Sequence, residues 1–558
     1  MRMLSLLFLL GLVTPLAGQP IFLLDDVKSG RNSSAPRFWA QLDAQRFLFA
    51  ASPRGANIFP ARPYISDGTA EGTVLLSEEV DVKTDFVRLG NIALFGGTRF
   101  PGGNELWITD GTPEGTELLA DLNPGGDGSI PHDLRRLGDR IIFAATTPDA
   151  GRELWISDGT AAGTQMVADI FPGPGNGYDG GGVIIDDSLF YFRGIDVANN
   201  EEPWRSNGTA DGTWQVADVN PGEVGSGADG FTKSGDWIYF SAISAGDGRE
   251  PRRTDGTRGN HQLFELGTGT TDSSTPSEFT DVGGRLFFIA DALPPAGTEL
   301  WTSDHSGAPV VIAGSVEPAI FPRNLLAFRD SILFFSATDV ANGRELWSSD
   351  GTDAGTQMIV DLYPGEFDGI FSGSGPEEFG LTDSLLYFAG ADGTSSGAGG
   401  LELFATDGTA AGTRLIMDYE PGPQGSNPGL FFRFGSRLYF GASTADVGNE
   451  PHFIGPETPV AVTTVVTPDF RLDPPFPNPV TATGLTDLRL PLHLPRAQTV
   501  RLGVYDLTGR RVLGSSARQL PAGEHMLSLP LDYLSGGTYH LATEIGGRVT
   551  TYSFVVLP

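Results

Sequence analysis

The sequence contains no cysteine, and this absence excludes several kinds of chemistry at once. Disulfide bonds, thiolate zinc sites and cysteine nucleophiles all require that residue. Lysine is scarce too, since Lys28, Lys83 and Lys233 are its only copies in 558 residues. With 36 basic against 69 acidic side chains, the formal net charge is −33. Such a strongly negative chain argues against nucleic acid or an anionic membrane surface as a partner.

Long apolar runs are absent beyond the N-terminus, so we expect no transmembrane segment. The run Met3–Val13 follows Arg2 and is too short to span a bilayer. This pattern predicts a signal peptide over residues 1–18. A lipid anchor is not expected, because Gln19 stands where a lipidated cysteine would follow the preceding Leu-Ala-Gly.

Catalytic and metal-binding signatures are also missing. The seven histidines are scattered, and none belongs to a His-Glu-x-x-His motif. The sequence has no Gly-x-Ser-x-Gly elbow, Walker A loop or dinucleotide-binding turn. Carboxylates are so numerous that a glycosidase-like pair of acids stays open, although no pair stands out.

What the sequence does contain is one phrase repeated nine times. Its complete form is Glu-Leu-Trp-x-x-Asp-Gly-Thr-x-x-Gly-Thr, at Glu105–Thr116, Glu153–Thr164 and Glu345–Thr356. The copies lie 43 to 57 residues apart, a period typical of propeller blades and other stacked arrays. Weaker copies surround Tyr64, Trp204, Arg252, Trp301, Phe404 and His452.

Each repeat unit predicts four short antiparallel strands, and no window shows the 3.6-residue period of a helix. We therefore expect an all-β chain with a β-propeller of about nine four-stranded blades. The alternative is eight blades and a degenerate unit. The segment Ile21–Val27 resembles the last strand of a unit, whereas the unit around His452 lacks one. We predict that the N-terminal strand completes the final blade and so removes two free edges.

One glutamate recurs two residues before the aromatic position, and in a strand both side chains face the same way. A ring of these carboxylates could bind cations. Buried carboxylates more often accept hydrogen bonds from backbone or arginine donors, and we favour this structural interpretation. Eight units carry the residue: Glu105, Glu153, Glu202, Glu250, Glu299, Glu345, Glu402 and Glu450.

The aspartate of Asp-Gly-Thr is typical of a turn, because its side chain accepts a backbone hydrogen bond and glycine tolerates a positive φ. Asn207 replaces it once, which suits a turn better than a metal site. A second set of aspartates follows the last strands in oxygen-rich loops that calcium accepts. No spacing there matches a known calcium loop, so Ca²⁺ is only a candidate cofactor. Its candidate ligands are Asp121, Asp127, Asp169 and Asp361.

The fifth unit departs most from the repeat. Arg252 and Arg253 stand at the Trp-x positions, and Arg258 and His261 follow. A degenerate unit whose arginines pair with the acidic surface would explain this pattern, and we favour that explanation. The alternative is contact with an anion or a uronate sugar, and these four residues are the candidate ligand-binding residues.

The repeated phrase resembles the bacterial ELWxxDGT repeat family. The resemblance covers roughly residues 20–458 and is poor in the first, fifth, sixth and ninth units. The family is found in exported, often surface-associated proteins and has no defined activity to carry over.

The end of the chain is nearly neutral, so the acidity belongs to the repeats. We predict a propeller at 19–460, a linker at 461–468 and a small β-sandwich at 469–558. The last domain carries, in order, Pro-Asn-Pro, Val-Tyr-Asp-x-x-Gly-Arg, Ala-Gly-x-His and Leu-x-Ser-Gly-x-Tyr with one extra residue. These motifs resemble the type A C-terminal sorting domain of the type IX secretion system. The matching residues are Pro477, Asn478, Pro479, Tyr505, Asp506, Gly509, Arg510, Gly523, Gly536 and Tyr539.

The second resemblance implies a Bacteroidota-type host, export across the outer membrane, and the type IX secretion machinery as a partner. The product would be attached to the cell surface or released. Basic residues often found at the extreme end of such domains are missing from Tyr552–Pro558. Export is therefore implied more strongly than anchoring. Because an export signal is joined to a regular repeat without a catalytic constellation, we expect a non-catalytic binding or adhesion propeller that contacts a glycan or a surface protein. The alternative is an extracellular hydrolase or lyase acting on polysaccharide at one mouth of the channel.

Overall fold

The computed structural model describes the chain with gaps, and all structural statements concern the described residues. These are residues 21–27, 33–53, 60–198, 200–222, 224–266, 273–291, 297–312, 321–339, 341–363, 379–391, 400–420, 425–444, 448–455, 471–472, 476, 480–481, 487–495, 497–506, 511–514, 518–531, 534, 536–545 and 548–557. They form two compact units. One comprises Phe22–Arg414 with Glu420–Phe453, and the other includes Ile454–Pro558.

The chain is all-β, and none of the residues in those ranges lies in a helix. It follows that no described helix could span a membrane. The 46 strands form eleven sheets, nine of which lie between Ile21 and Ile454. Apart from one five-stranded sheet, these nine are four-stranded, as the repeat predicts.

The first four of these sheets follow β1 (Ile21–Leu23) along the chain. The first sheet consists of β2 (Arg37–Gln41), β3 (Phe47–Ala51), β4 (Arg62–Ser66) and β5 (Val74–Leu75). The second consists of β6 (Asp81–Val82), β7 (Val87–Leu89), β8 (Ile92–Thr98), β9 (Asn104–Thr109) and β10 (Glu117–Ala120). The third consists of β11 (His132–Leu137), β12 (Arg140–Thr147), β13 (Gly151–Ser157) and β14 (Gln165–Ala168). The fourth consists of β15 (Val183–Ile185), β16 (Leu189–Ile195), β17 (Glu201–Ser206) and β18 (Trp214–Gln215).

The next four sheets have the same order of strands. The fifth sheet consists of β19 (Asp229–Ser234), β20 (Trp237–Ser244), β21 (Gly248–Thr254) and β22 (Gln262–Leu263). The sixth consists of β23 (Ser277–Val282), β24 (Arg285–Asp291), β25 (Thr298–Ser303) and β26 (Val310–Val311). The seventh consists of β27 (Pro322–Phe328), β28 (Ile332–Asp339), β29 (Gly343–Ser349) and β30 (Gln357–Val360). The eighth consists of β31 (Phe379–Leu381), β32 (Leu386–Gly390), β33 (Glu402–Thr406) and β34 (Arg414–Met417).

The ninth sheet joins the two ends of the repeat region. It has the order β1-β37-β36-β35, with β35 (Gly429–Phe434), β36 (Arg437–Thr444) and β37 (Gly448–Ile454). The backbone N–H of Leu24 donates to the carbonyl of Pro451 at 2.8 Å, and that of Val27 to Glu450 Oε2 at 3.0 Å. The prediction that the N-terminal strand completes the last sheet is confirmed.

The first strands of successive sheets lie side by side. Contacts run from β2 to β7, β11, β15, β19, β23 and β27 in turn, and β35 contacts β31 on one side and β2 on the other. Apolar residues of adjacent sheets share clusters, as Ile142 and Leu154 of the third sheet do with Phe190 and Phe192 of the fourth. The arrangement is that of a β-propeller, stabilised by burial of apolar second strands on both faces.

The C-terminal unit contains the remaining two sheets around one core. Leu488, Leu490 and Leu492 of one sheet share a buried cluster with Leu541 and Phe554 of the other. Alternate leucines point inward because side chains alternate along a strand. The smaller sheet consists of β38 (Arg471–Leu472), β40 (Leu488–Leu494) and β44 (Gly523–Leu529). The larger consists of β39 (Val480–Thr481), β41 (Gln498–Asp506), β42 (Arg511–Gly514), β43 (Arg518–Leu520), β45 (Gly537–Ile545) and β46 (Arg548–Leu557).

Candidate functional site

The recurring glutamates are buried and bound to backbone donors. In the second sheet Glu105 accepts the N–H groups of Leu122 at 3.0 Å, Asn123 at 3.3 Å and Ser129 at 2.7 Å. The other glutamates of the set are likewise only 0–3% exposed. Each carboxylate for which such bonds are described holds the segment that leads to the next sheet, which agrees with the structural interpretation.

Glu153 differs from its counterparts in the groups that donate hydrogen bonds to its carboxylate. In the second, fifth and eighth sheets a serine hydroxyl also donates to the carboxylate, as Ser274 does to Glu250 at 2.6 Å. In the third sheet the corresponding residue is Gly177, which has no hydroxyl. Burial raises the pKa of Glu153 to about 7, and the charge of Asp169 adds to this effect. The pKa of Glu250 is also raised by burial, but the Ser274 hydroxyl opposes the increase.

The Asp-Gly-Thr segments are hydrogen-bonded turns. Asp110 Oδ1 accepts the backbone N–H of Thr112 at 2.9 Å and its hydroxyl at 2.7 Å. A Cβ on Gly115 would lie only 2.1 Å from the same oxygen, which explains the second glycine of the phrase. Asn207 makes the equivalent bonds to Thr209. The prediction of a turn is confirmed.

The four aspartates predicted as calcium ligands lie in different sheets. Asp121 and Asp127 follow β10 in the second sheet, Asp169 follows β14, and Asp361 follows β30. Asp361 has one buried carboxylate oxygen that accepts no hydrogen bond from any described residue. No group of three or more His, Asp or Glu residues suited to a metal ion occurs in the described ranges. The calcium prediction remains a prediction.

The basic residues of the fifth unit are divided among neighbouring sheets. Arg253 donates to the carbonyl of His305 in the sixth sheet at 2.9 Å. Arg258 is exposed, and its guanidinium lies 5.0 Å from the ring centroid of Trp214 in the fourth sheet. Arg252 is 3% exposed, and its charge acts on the half-buried His261. Arg252 is thus near enough to His261 for its charge to act on the ring, whereas Arg253 also donates to Gln262 at 3.0 Å and Arg258 lies over Trp214.

The residues that resemble a sorting domain are partly described. Tyr505 in β41 and Tyr539 in β45 are buried, and Tyr539 stacks on Phe554. Gly523 begins β44, and Gly536 directly precedes β45. Asp506 ends β41. Some predictions fall outside the described residues. They concern the signal peptide at 1–18 and the sorting-domain residues Pro477, Asn478, Pro479, Gly509 and Arg510.

A cavity of about 400 Å³ lies beside the first strands of the first four sheets. Its lining comes from Phe38, from Lys83–Asp85 between β6 and β7, from His132–Arg135, and from Asp179–Gly181 before β15. Because these first strands lie side by side around the propeller, the cavity faces its centre. This volume is in the range of small-molecule sites.

Irregular backbone shapes the cavity. The pairing of β11 with β12 shifts register between His132 and Arg135, and Asp133 has φ of 51°. A matching shift occurs in β2, where Phe38 has φ of 58°. The same shift occurs in β19, β23, β27 and β35, so the β-bulge belongs to the first strands of the repeat, and at the cavity it redirects the side chains of β2 and β11.

Asp133 is fully engaged by its neighbours. It accepts Arg135 Nη2 at 2.8 Å, the backbone N–H of Gly182 at 3.1 Å, and the hydroxyl of Tyr178. Burial and the charge of Asp133 raise the pKa of Tyr178, so this hydroxyl stays protonated. Asp133 therefore anchors the third sheet to the segment entering the fourth, and holds Arg135 at the cavity.

Asp85 and His132 are the groups left to act on a ligand. The Asp85 carboxylate has no hydrogen bond or ion pair within the described part of the chain. Asp85 is exposed to solvent at the cavity, and the protein atoms packed around its carboxylate nevertheless raise its pKa, which Arg135 partly opposes. His132 Nδ1 lies 3.0 Å from the carbonyl of Ile130, so Nδ1 donates its proton there and Nε2 is left to contact a ligand. Together with the Phe38 ring, these groups suit a ligand with several hydroxyl groups.

Sequence reasoning did not single out these cavity residues. They come from four different sheets, and non-glycine residues with positive φ leave no signal in a single sequence. The structure itself shows an irregularity at Asp85, because the first strand of the second unit is broken there into β6 and β7.

Comparisons with known proteins identify no family. No protein-family model and no curated protein matches the chain. Among solved structures, a similar one is PorZ of Porphyromonas gingivalis, described as an essential bacterial surface component of the type IX secretion system. It is 10% identical, with a TM-score of 0.34, over 92% of this chain and 74% of PorZ.

Peptidases are also among the similar structures. A puromycin-hydrolysing peptidase of Mycobacterium tuberculosis is 12% identical with a TM-score of 0.37, over 65% of this chain and 58% of the peptidase. Prolyl oligopeptidase B of Galerina marginata is 10% identical with a TM-score of 0.36, over 68% of this chain and 56% of that protein. The chain thus spans little more than half the length of these peptidases. TM-scores this low carry no functional argument.

Proposed function

We propose that this protein is an exported binding propeller that holds a hydroxyl-rich ligand, such as a glycan terminus, in the cavity beside Asp85. The observation that carries this proposal is the cavity itself. It combines an aromatic ring at Phe38, an acid at Asp85 that has no hydrogen bond among the described residues, the Nε2 atom of His132, and a cation, Arg135, held by Asp133. Ligand sites typically have few converging polar groups in a concave surface.

We further propose one closed ring of nine blades over residues 19–460, rather than eight blades. Nine consecutive sheets, the contact of β35 with β2, and the pairing of β1 with β37 support this count. A signal peptide at 1–18, a linker at 461–468 and a separate sandwich at 469–558 complete the proposed organisation.

Delivery by the type IX secretion machinery is part of the proposal and is supported by the C-terminal motifs. The protein would then lie on the outer face of the outer membrane or outside the cell. In a host with that machinery, a reporter fused to residues 469–558 should reach the medium or the cell surface. The same reporter without the domain is the control and should stay in the periplasm. If the fused reporter also stays there, the secretion proposal is contradicted, but the binding proposal is not.

Ligand binding is tested on a glycan array, with affinities then measured by calorimetry. We expect Asp85→Asn and Phe38→Ala to weaken binding about tenfold or more, because each removes a contact worth about 1–3 kcal/mol. Asp139→Asn is the matched control, since the side chain of Asp139 is 99% exposed and lies outside the cavity lining. Equal affinity of all four proteins would place the ligand elsewhere.

An extracellular polysaccharide hydrolase or lyase is the second candidate. The raised pKa of Asp85 favours it, because a carboxyl group that holds its proton more tightly can act as a general acid. Turnover of any polysaccharide that Asp85→Asn abolishes, with binding retained, would replace the binding proposal by this one.

Calcium binding at Asp121, Asp127, Asp169 or Asp361 is a separate proposal, supported by their oxygen-rich loops. We expect added Ca²⁺ to raise the thermal midpoint and a chelator to reverse the change. An unchanged midpoint in both conditions would dismiss a structural calcium ion.

A further inference from the structure

Three sheets carry an acid at the same position of the first strand. Asp85 in the second sheet, Asp133 in the third and Glu278 in the sixth each lie two residues before the point from which the first strand pairs regularly with the second. Two of these acids accept a backbone N–H from the following sheet. Asp133 Oδ2 accepts that of Gly182 at 3.1 Å, and Glu278 Oε2 accepts that of Leu325 at 2.8 Å. These acids thus join neighbouring sheets at the centre of the propeller.

The donating residue also has a fixed position in the repeat. Gly182 and Leu325 each lie one residue before regular pairing of their own first strand begins. In the third sheet, which follows that of Asp85, this residue is Leu134. Leu134 and Leu325 both fall within the register shift of their strands, where a bulge removes a residue from the ladder. The repeat therefore predicts that Asp85 accepts the N–H of Leu134.

Asp85 does not make this bond. Its carboxylate has no hydrogen bond within the described part of the chain, and no described side chain accepts the N–H of Leu134. Both residues nevertheless line the same cavity. Leu134 is only 3% exposed, and a buried N–H without an acceptor is costly. An acceptor and a donor that bond directly at other junctions are thus left apart at the cavity.

The length of the acid accounts for the difference. The shorter acid, Asp133, meets a glycine, which allows two backbones to approach closely. Where the following residue is a leucine, at Leu325, the acid is a glutamate and is longer by one methylene group. Asp85 combines the shorter acid with a leucine, Leu134. The junction between the second and third sheets therefore keeps a gap with an acceptor on one side and a donor on the other.

We propose that a free hydroxyl group of the ligand fills this gap, donating its hydrogen to the Asp85 carboxylate and accepting the N–H of Leu134. The inference rests on the proposed function of the cavity and adds the Leu134 N–H to its binding groups. A hydroxyl is favoured because it donates and accepts at once, as the two sides of the gap require. An ether oxygen has no hydrogen to donate, and Asp85 repels the carboxylate of a uronate. The site therefore selects a glycan that is unmodified at this hydroxyl.

Asp85→Glu tests the gap without a ligand. The longer side chain should accept the N–H of Leu134, as Glu278 accepts that of Leu325. We expect a higher thermal midpoint and slower hydrogen exchange at the Leu134 amide than in the unaltered chain. Asp139→Glu lengthens an acid whose side chain is 99% exposed and should change neither quantity. A Leu134 amide that exchanges as fast in Asp85→Glu as in the unaltered chain would overturn the inference.

The glycan array tests whether the gap is where the ligand binds. Every glycan that the unaltered chain binds should bind Asp85→Glu more weakly by about tenfold or more, although the carboxylate is retained, because the filled gap excludes the hydroxyl. Retained affinity would overturn this inference and leave the proposed function intact. An array on which the unaltered chain binds nothing would contradict both.

Deoxygenated glycans provide a measurement that needs no variant. Among the monodeoxy derivatives of a bound glycan, the one that lacks the bridging hydroxyl should lose affinity by about tenfold or more, because the buried donor and the acceptor are then both left unpaired. Equal affinity for all monodeoxy derivatives would overturn the inference even if Asp85→Glu failed to fold.

Discussion

At the scale of single residues, eight of the nine repeat units carry a buried glutamate, and where its bonds are described it accepts backbone hydrogen bonds from the segment leading to the next sheet. Such an acid is costly to bury and is tolerated because its donors are fixed. In several sheets a serine hydroxyl donates to the carboxylate in addition to the backbone N–H groups. Gly177 takes the place of that serine beside Glu153, whose pKa is about 7. The donor set of each unit therefore tunes how strongly its glutamate holds a proton.

Removing one of these hydroxyls should destabilise the protein in a pH-dependent way. Ser274→Ala deletes a donor to Glu250, so we expect a loss of about 1–3 kcal/mol in unfolding free energy at pH 8. The loss should be smaller at pH 5, where a carboxyl with a raised pKa is partly protonated. Denaturant unfolding at both pH values measures it. Ser331→Ala, at an exposed turn, serves as control. Equal losses at both pH values would contradict the expectation.

Glu153 should make stability depend on pH in a defined window. Its folded pKa of about 7 lies above the unfolded value of 4.5, so the folded state binds the extra proton between these values. Unfolding free energy from this group therefore falls as pH rises from 4.5 to 7, by at most about 3 kcal/mol. Glu153→Gln should flatten the curve in that window. A variant curve parallel to that of the unaltered chain would rule this out.

These residue-scale roles were only partly predictable. The repetition of Glu105 and its counterparts, two residues before an aromatic, indicated buried acids with backbone partners. The sequence could not show that Gly177 would leave Glu153 short of a donor, since the two residues meet only after the loop folds back. Asp85 was equally hidden, because its environment is assembled from separate sheets.

At the scale of elements, the Asp-Gly-Thr turn sets how the third and fourth strands of a unit meet. Asp110→Asn should cost less than about 0.5 kcal/mol, because Asn207 already makes the same bonds in the fourth sheet. Asp110→Ala should cost about 1–2 kcal/mol through loss of both bonds to Thr112. Urea unfolding of the two variants measures the difference. Similar losses in both would show that charge, rather than hydrogen bonding, matters at this turn.

Strands and turns were the best predicted part of the molecule, because their signals are local and repeated. The bulges in β2 and β11 were not predicted. A bulge at Phe38 or Asp133 depends on how the first strands crowd together at the centre, and neither residue type favours a positive φ strongly enough to indicate it.

At the scale of the whole molecule, the pairing of β1 with β37 joins residues from opposite ends of the repeats. A mature chain lacking Ile21–Val27 should unfold at lower temperature and self-associate, because the edge of β37 is left free. Calorimetry and light scattering measure both effects. A peptide with the sequence of the deleted strand should restore them in part, and a scrambled peptide should not. An unchanged midpoint would mean that β1 contributes little to stability.

This pairing was predictable because the ninth unit lacks a last strand in the sequence, and Ile21–Val27 resembles such a strand without a unit of its own. The position of the cavity was not predictable. It forms where four units meet, and no sequence feature of a single unit indicates which side of the propeller that is. The repeated sequence thus predicts the architecture, whereas sites formed where units depart from the repeat can be located only in the folded structure.

The same pairing also requires that the repeat region be synthesised to its end before the last sheet can form. Val27 bonds to Glu450, 423 residues further on, so the last sheet cannot form until the ninth unit has been synthesised and has emerged. A chain cut short anywhere before that point keeps an unpaired strand at each end. The repeat region therefore cannot close before β37 has been synthesised. Proteases would then find unpaired strand edges on unfinished chains rather than on complete ones.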